Sequence, residues 1–436
     1  MRRRVRYVTS AACIPMIALA VLASQAELAG QTTGPARRPP CDPDNGGITL
    51  PEGFCATVFA DGVGRPRHIV VAPSGDVFVA LAGGRGQRGG VLALRDTNGD
   101  GKADVQEHFG ENGGNGIALR GDYLYFAPND AVLRYRLPAG QLKASGRPDT
   151  IVAGLPADRN HAAKTIVVDN AGNLFVNIGS PSNACQVQDR QPGSPGMDPC
   201  PELETRAGIW KFSANRLRQK QSDGQRYATG IRNAVALTIH PVNGGLYGVQ
   251  HGRDQLYANW SNLFTAEQSA EKPSEELIRI QEGDDFGWPY CYHDPELRRK
   301  VLAPEYGGDG RTVGRCASAK EPLLAFPAHW APNAILFYTG RQFPERYRNG
   351  AFIAFHGSWN RAPLPQAGYK VVFVPFNGDR PAGGYETFAD GFAGENVQPG
   401  TARHRPTGLA QGPDGALYIT DDAGGRIWRV VYAGTR

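Results

Sequence analysis

Histidine, arginine and asparagine recur at one kind of position in this chain, the polar residues just ahead of a short apolar run. His161 stands ahead of Thr165–Val168, Arg232 and Asn233 ahead of Ala236–Ile239, and Arg405 ahead of Gly408–Ile419; Arg67 precedes Ile69–Leu81 in the same way. A neutral imidazole can take a proton near neutral pH. An adjacent Arg-Asn pair can present a guanidinium fork and an amide to an anionic ligand. His356, Trp359 and Arg361 follow another apolar run and bring an imidazole, an indole and a guanidinium together, a set able to cover a flat conjugated group. In Gln250-His251-Gly252-Arg253-Asp254 a glycine in a polar turn can aim backbone carbonyls at a hard cation. One base among several arginines suits a planar, poly-anionic cofactor or substrate.

These residues are useful only if the chain brings them to one place, and its repeats predict that it does. An apolar run, a turn rich in Pro, Asn, Asp and Gly, and a second apolar run recur six times, at 69–81, 116–128, 165–179, 236–250, 335–355 and 408–421. Each reads as a β-hairpin. Units that cannot bury both faces alone must close on one another. The expected fold is all-β, a six-bladed β-propeller of four-stranded blades, with 161, 232 and 405 entering inner strands on one face. A pair of sandwiches and a solenoid are the alternatives, and the uneven spacing disfavours the solenoid. Gly 56 and Pro 33 suit many strands joined by turns and argue against a helix bundle. The only expected helical turn lies near Asn259–Gln268.

Residues 1–26 read as a signal peptide: Arg2, Arg3, Arg4 and Arg6, an apolar stretch at 11–23, and Ser24-Gln25-Ala26 as a cleavage site. Residues 27–49 read as a flexible lead-in and 50–436 as one propeller domain. Without 1–26, which hold four arginines and no acid, the formal charge falls from +5 to +1. That argues against a nucleic-acid partner. The apolar stretch is short for a stable membrane span. The six cysteines beyond Cys13 fall into local couples, 41–55, 185–200 and 291–316, as expected of disulfides in a periplasmic or secreted protein. Asp96, Asn98, Asp100, Asp104 and Glu107, with Gly101, match the pattern of a calcium loop. A structural calcium at a hairpin tip and an Asx-rich turn without metal both remain open.

The motifs together resemble the soluble quinoprotein sugar dehydrogenases of the glucose/sorbosone dehydrogenase family. The resemblance runs from about Leu50 to Tyr432. It is carried by His161 with its hairpin, Gly230-Ile231-Arg232-Asn233, Gly252-Arg253-Asp254, Phe286-Gly287-Trp288-Pro289, His356–Arg361 and Arg405-Pro406. It implies pyrroloquinoline quinone (PQQ) over the channel mouth with a calcium ion held by the backbone at Gly252 and Arg253. His161 would be the general base and Arg232 would stabilise developing negative charge. Asn233, Arg405, His356, Trp359, Arg361 and Arg67 would hold or cover the cofactor. The substrate would be a sugar or sugar aldehyde, and electrons would pass to an external acceptor, a quinone or cytochrome. The glucose-type members carry Asp where Ser180 stands and a second Arg where Thr407 stands, so the sorbosone and pyranose branch is the nearer likeness. The alternative is a non-catalytic secreted propeller that binds protein or glycan. Members of that kind lose the base and the Arg-Asn pair, which His161, Arg232 and Asn233 retain here.

Overall fold

The computed structural model describes residues 41–434 other than Arg85, Asp158 and Pro399, together with Met1 and Val5. The expected signal peptide and most of the lead-in lie outside the described residues. All six repeats fold as hairpins, and each forms the two inner strands of a blade. The inner strands are Pro66–Val71, Gly114–Arg120, Ile166–Val168, Ala236–Ile239, Pro332–Phe337 and Pro406–Gln411 in blades one to six. Each touches its neighbours in that order, and the last touches the first, so the ring is closed.

Closure is made by the N-terminal part of the chain. Phe54–Ala60 pairs antiparallel with Arg426–Tyr432 and becomes the outer strand of blade six. The lead-in is therefore not loose over 41–49. Asp42 accepts from Val58 N at 2.7 Å, Asn45 accepts from Ala56 N at 3.1 Å, and Thr49 bridges to Asp390. Six apolar clusters fill the seams between neighbouring blades, with Trp428, Tyr125 and Tyr247 fully buried in them. Burial of such aromatic bodies is the main stabilising term of a fold made of sheets packed face to face.

Two insertions interrupt this regularity, and both reach the face where the inner strands begin. Residues 179–207 leave blade three between its second and third strands and carry Cys185–Cys200. Residues 281–323 leave blade four and carry a small hairpin, Cys291–Asp294 with Arg299–Leu302, tied by Cys291–Cys316. With Cys41–Cys55, the three expected local disulfides are formed. The helices are short, Leu256–Asn259 and Ala266–Glu271, and flank the expected turn rather than fill it. No helix among the described residues is long and apolar enough to cross a membrane.

Candidate active site

In each blade the start of the inner strand and the end of the second strand meet on the same face. A cavity of about 600 Å³ opens there around the channel axis. Its walls include His161, Arg232, Asn233, Gly252, His356, Trp359, Arg67 and Arg405. Arg65, Arg159, Asn115, Asp254 and Glu275 join them.

His161 sits in a left-handed backbone conformation, φ 48°, ahead of blade three. Its Nδ1 lies 2.7 Å from the carbonyl of Ser180. A carbonyl can only accept, so Nδ1 carries the proton and Nε2 keeps its lone pair. Nε2 has no protein partner among the described residues. Gly179 makes the approach possible, because a Cβ there would stand 2.6 Å from that of His161. Burial, then the charge of Arg232, pull the imidazole down to about 3 against the Ser180 bond, so it is neutral at ordinary pH.

Arg232 is 3% exposed. Its Nε and Nη2 donate to the backbone carbonyl and Oδ1 of Asn183 at 3.2 and 3.1 Å, and Nη2 also donates to Asp254 at 2.8 Å. Nη1 donates to the Gly252 carbonyl at 2.8 Å and retains a second N–H. Asp254 also accepts from Arg190 and Asn360. Burial opposes its ionisation, but Arg232, His329 and Arg190 outweigh that and hold it well below the usual carboxylate range. Asn233 accepts from Asn177 Nδ2 at 3.0 Å, leaving its own amide NH2 without a partner among the described residues.

Across the cavity, Asp422 binds Arg67 Nη1 at 2.6 Å and His356 Nε2 at 2.7 Å. Arg67 Nε donates to Asn115 at 2.8 Å. Arg405 donates to the carbonyls of His356 and Gly357 at 2.9 and 2.7 Å, with Tyr369 beneath it at 5.5 Å. Arg67 Nη2 and Arg405 Nη1 have no partner among the described residues. Trp359 is 52% exposed at the rim.

One expectation for the wall does not hold. Arg361 lies outside it, because its guanidinium is used on the carbonyls of Ala270, Ala328 and Pro365. The expectation for Arg253 concerns its backbone; its side chain is buried against Glu305. The Gly252 carbonyl does line the cavity, beside the carboxylates of Asp254 and Glu275. Glu275 accepts from Gly252 N and Ala331 N, yet burial still raises it to about 7.

The loop at 96–107 is remote from this site and does not gather its oxygens. Asp96 accepts from Gly99 N and Gly101 N, Asp104 accepts from Thr97, and Glu107 faces Lys143 from a strand. Among the described residues, no three of its carboxylates come within 4.8 Å of one another. Its oxygens accept from amides of the loop itself, the hydrogen-bond pattern of an Asx-rich turn.

Sequence reasoning missed Asn183, Asp422, Arg65, Arg159 and Glu275 as parts of the site and gave Asp254 no role. Asp254 had a signal, standing in the same turn as Gly252. Asn183 and Asp422 had none, since only the folding of loops brings them in. At the corner Phe286–Cys291, Phe286, Trp288 and Cys291 are buried, and Trp288 Nε1 donates to the Asn183 carbonyl at 3.0 Å.

A family model described as TrAA12-like matches residues 48–433. An uncharacterised protein of Borreliella burgdorferi is 30% identical over 287 residues, 65% of this chain and 64% of its own length. A pyrroloquinoline quinone-dependent pyranose dehydrogenase of Coprinopsis cinerea is 26% identical over 425 residues, 87% of this chain and 54% of its own length. The chain thus spans between about half and two thirds of the length of these curated relatives. Among solved structures, the calcium structure of a Trichoderma reesei enzyme of carbohydrate-active family AA12 superposes with TM-score 0.72 at 20% identity, over 88% of this chain and 97% of that one. The holo form of the PQQ domain of the C. cinerea pyranose dehydrogenase does so with TM-score 0.72 at 21% identity, over the same shares. These likenesses establish the propeller fold. Matched along nearly the whole of its described length, the chain belongs to the TrAA12-like family.

Proposed function

We propose that the protein is a dehydrogenase of sugars or sugar aldehydes that uses PQQ with a calcium ion. It works in the periplasm or outside the cell and hands its electrons to an external acceptor, a quinone or cytochrome. The observation that carries this reading is the pairing, in one cavity, of an imidazole with a bare Nε2 and a buried guanidinium with a spare N–H. The donor set fits a flat poly-anion: Arg65, Arg67, Arg159, Arg232 and Arg405 all reach the wall. The Gly252 carbonyl, with a second lone pair, and the nearby carboxylates of Asp254 and Glu275 are hard oxygens of the kind calcium takes. The name of the C. cinerea relative, called pyrroloquinoline quinone-dependent, supports the same choice.

When bound, the quinone supplies a carbonyl carbon that accepts hydride. The remaining chemistry belongs to the chain. His161 Nε2 removes the proton from the substrate hydroxyl, and its Nδ1–H, held by Ser180, keeps the ring aimed. Arg232 offers its spare Nη1–H to the oxygen where negative charge grows, at a site buried enough for that bond to be strong. Arg67 and Arg405 pair with ligand carboxylates through their unpartnered nitrogens, Asn233 adds its amide, and Trp359 and His356 flank the ring system. Ser180 and Thr407, in place of the Asp and Arg of glucose-type members, argue against glucose as the preferred sugar and for another pyranose or sorbosone.

The test is to add PQQ and calcium to the cofactor-free protein and follow dye reduction against a panel of aldoses, other pyranoses and sorbosone. Absence of any PQQ-dependent absorbance change would sink the reading. Turnover of glucose above all other sugars would overturn the specificity.

A further inference from the structure

The stretch Ser180–Cys185 runs from the end of a blade-three strand into the disulfide loop, and it touches both reacting groups. At one end the Ser180 carbonyl fixes His161 Nδ1. In the middle Asn183, completely buried, grips Arg232 with two oxygens, its backbone carbonyl on Nε and its Oδ1 on Nη2. That edge of a guanidinium is one that a bidentate carboxylate would take. Here the fork is neutral, so it orients the plane without cancelling the charge. Asn183 also orders the counter-ion: its Oδ1 accepts from Asp254 N and its Nδ2 donates to the Asp254 carbonyl, both at 2.9 Å. Without Asn183 the guanidinium keeps Asp254 on Nη2 and the Gly252 carbonyl on Nη1, but its Nε–H has no acceptor.

The stretch is fixed in turn. Ser180 Oγ donates to the Ser182 carbonyl at 2.7 Å, and Cys185 N donates to Ser182 Oγ at 2.9 Å. Ser182 Oγ donates to Glu202 at 2.9 Å, and the far end is bonded to Cys200.

We infer that Asn183 is a positioning residue for Arg232, and that the Ser180–Cys185 strap, anchored by Cys185–Cys200, sets the placement of the base relative to the guanidinium. The inference rests on the dehydrogenase reading for its kinetic consequence, but its geometric part is measurable without cofactor. In the cofactor-free protein labelled with 15N-arginine, the Arg232 Nε–H should be protected from exchange, its resonance assigned by its loss in Arg232→Lys. Asn183→Ala should abolish that protection and lower kcat about 10- to 100-fold, with KM for the sugar within about threefold. Asn183→Asp, of the same shape, should keep the protection but weaken PQQ binding, because it neutralises the guanidinium. Cys185→Ser/Cys200→Ser should lower kcat, whereas Cys41→Ser/Cys55→Ser should lower stability and leave kcat unchanged.

Wild-type kcat together with a protected Nε–H in Asn183→Ala would overturn the positioning role. Equal loss of kcat in both disulfide variants would overturn the anchoring role. If the wild-type protein bound no PQQ, the dehydrogenase reading would fall, and the exchange measurement would still decide the geometry.

Discussion

Burial acts on both reacting side chains. His161 is kept neutral by burial and by the charge of Arg232; burial also lowers Arg232, and Asp254 works against that. His161→Ala should retain PQQ binding by absorbance titration and lose turnover by about 10²- to 10⁴-fold. A fully active variant would disprove the base assignment. Stability carries a second signature. An unfolded histidine titrates near 6.5, whereas folded His161 and His68 are lowered to about 3 and about 4, both chiefly by burial. Between those values the unfolded chain takes up protons that the folded chain refuses. Stability of the cofactor-free protein should therefore fall as pH drops from about 6.5 towards 4, by up to about 1.4 kcal/mol per pH unit for each ring. A thermal midpoint unchanged between pH 7 and pH 5 would contradict this, and His161→Gln should flatten the slope. Asp254→Asn leaves Arg232 and Arg190 facing each other without their shared carboxylate, and should cost roughly 3–5 kcal/mol in denaturant unfolding. His161, Arg232 and Asn233 were legible because each stands at the entrance of a repeated hairpin and the family resemblance gave them roles; taken alone, each reads as an ordinary loop residue. Asn183 was not, because an asparagine in a polar loop has no signature until the loop lands on an arginine. Arg361 misled for the same reason: nothing in HGSWNR shows that three backbone carbonyls are waiting for it.

At the scale of elements, the hairpins were readable because a strand alternates every second residue and its turn carries small polar residues. The insertions were not readable, since their shape comes from disulfides and from packing against each other, as when Cys200 N donates to Tyr290 Oη at 2.8 Å. The seam between inner strands depends on missing side chains. At Gly116, in blade two, a Cβ would lie 2.5 Å from the Lys164 carbonyl oxygen ahead of blade three. Neither backbone can yield without moving its blade. Gly116→Ala should thus destabilise the fold by about 1–3 kcal/mol, read as a lower thermal midpoint; an unchanged midpoint would mean that the seam is looser than it looks.

For the whole molecule, six repeats made the propeller legible, but not how it closes. Only inner strands repeat clearly in the sequence, so the strand that completes blade six, Phe54–Ala60, went unread ahead of the first repeat at 69–81. Deleting residues 41–60 should expose the edge of Arg426–Tyr432 and leave an aggregating or protease-sensitive chain, scored by soluble yield and sizing. Pairing of the two ends also has a consequence in time. The strand made first, Phe54–Ala60, has no sheet to join until the strand made last, Arg426–Tyr432, exists. Blades one to five can form in the order of synthesis, but sealing must wait for Arg426–Tyr432. A chain interrupted before Arg426–Tyr432 stays open, with a bare strand edge for chaperones and proteases to find.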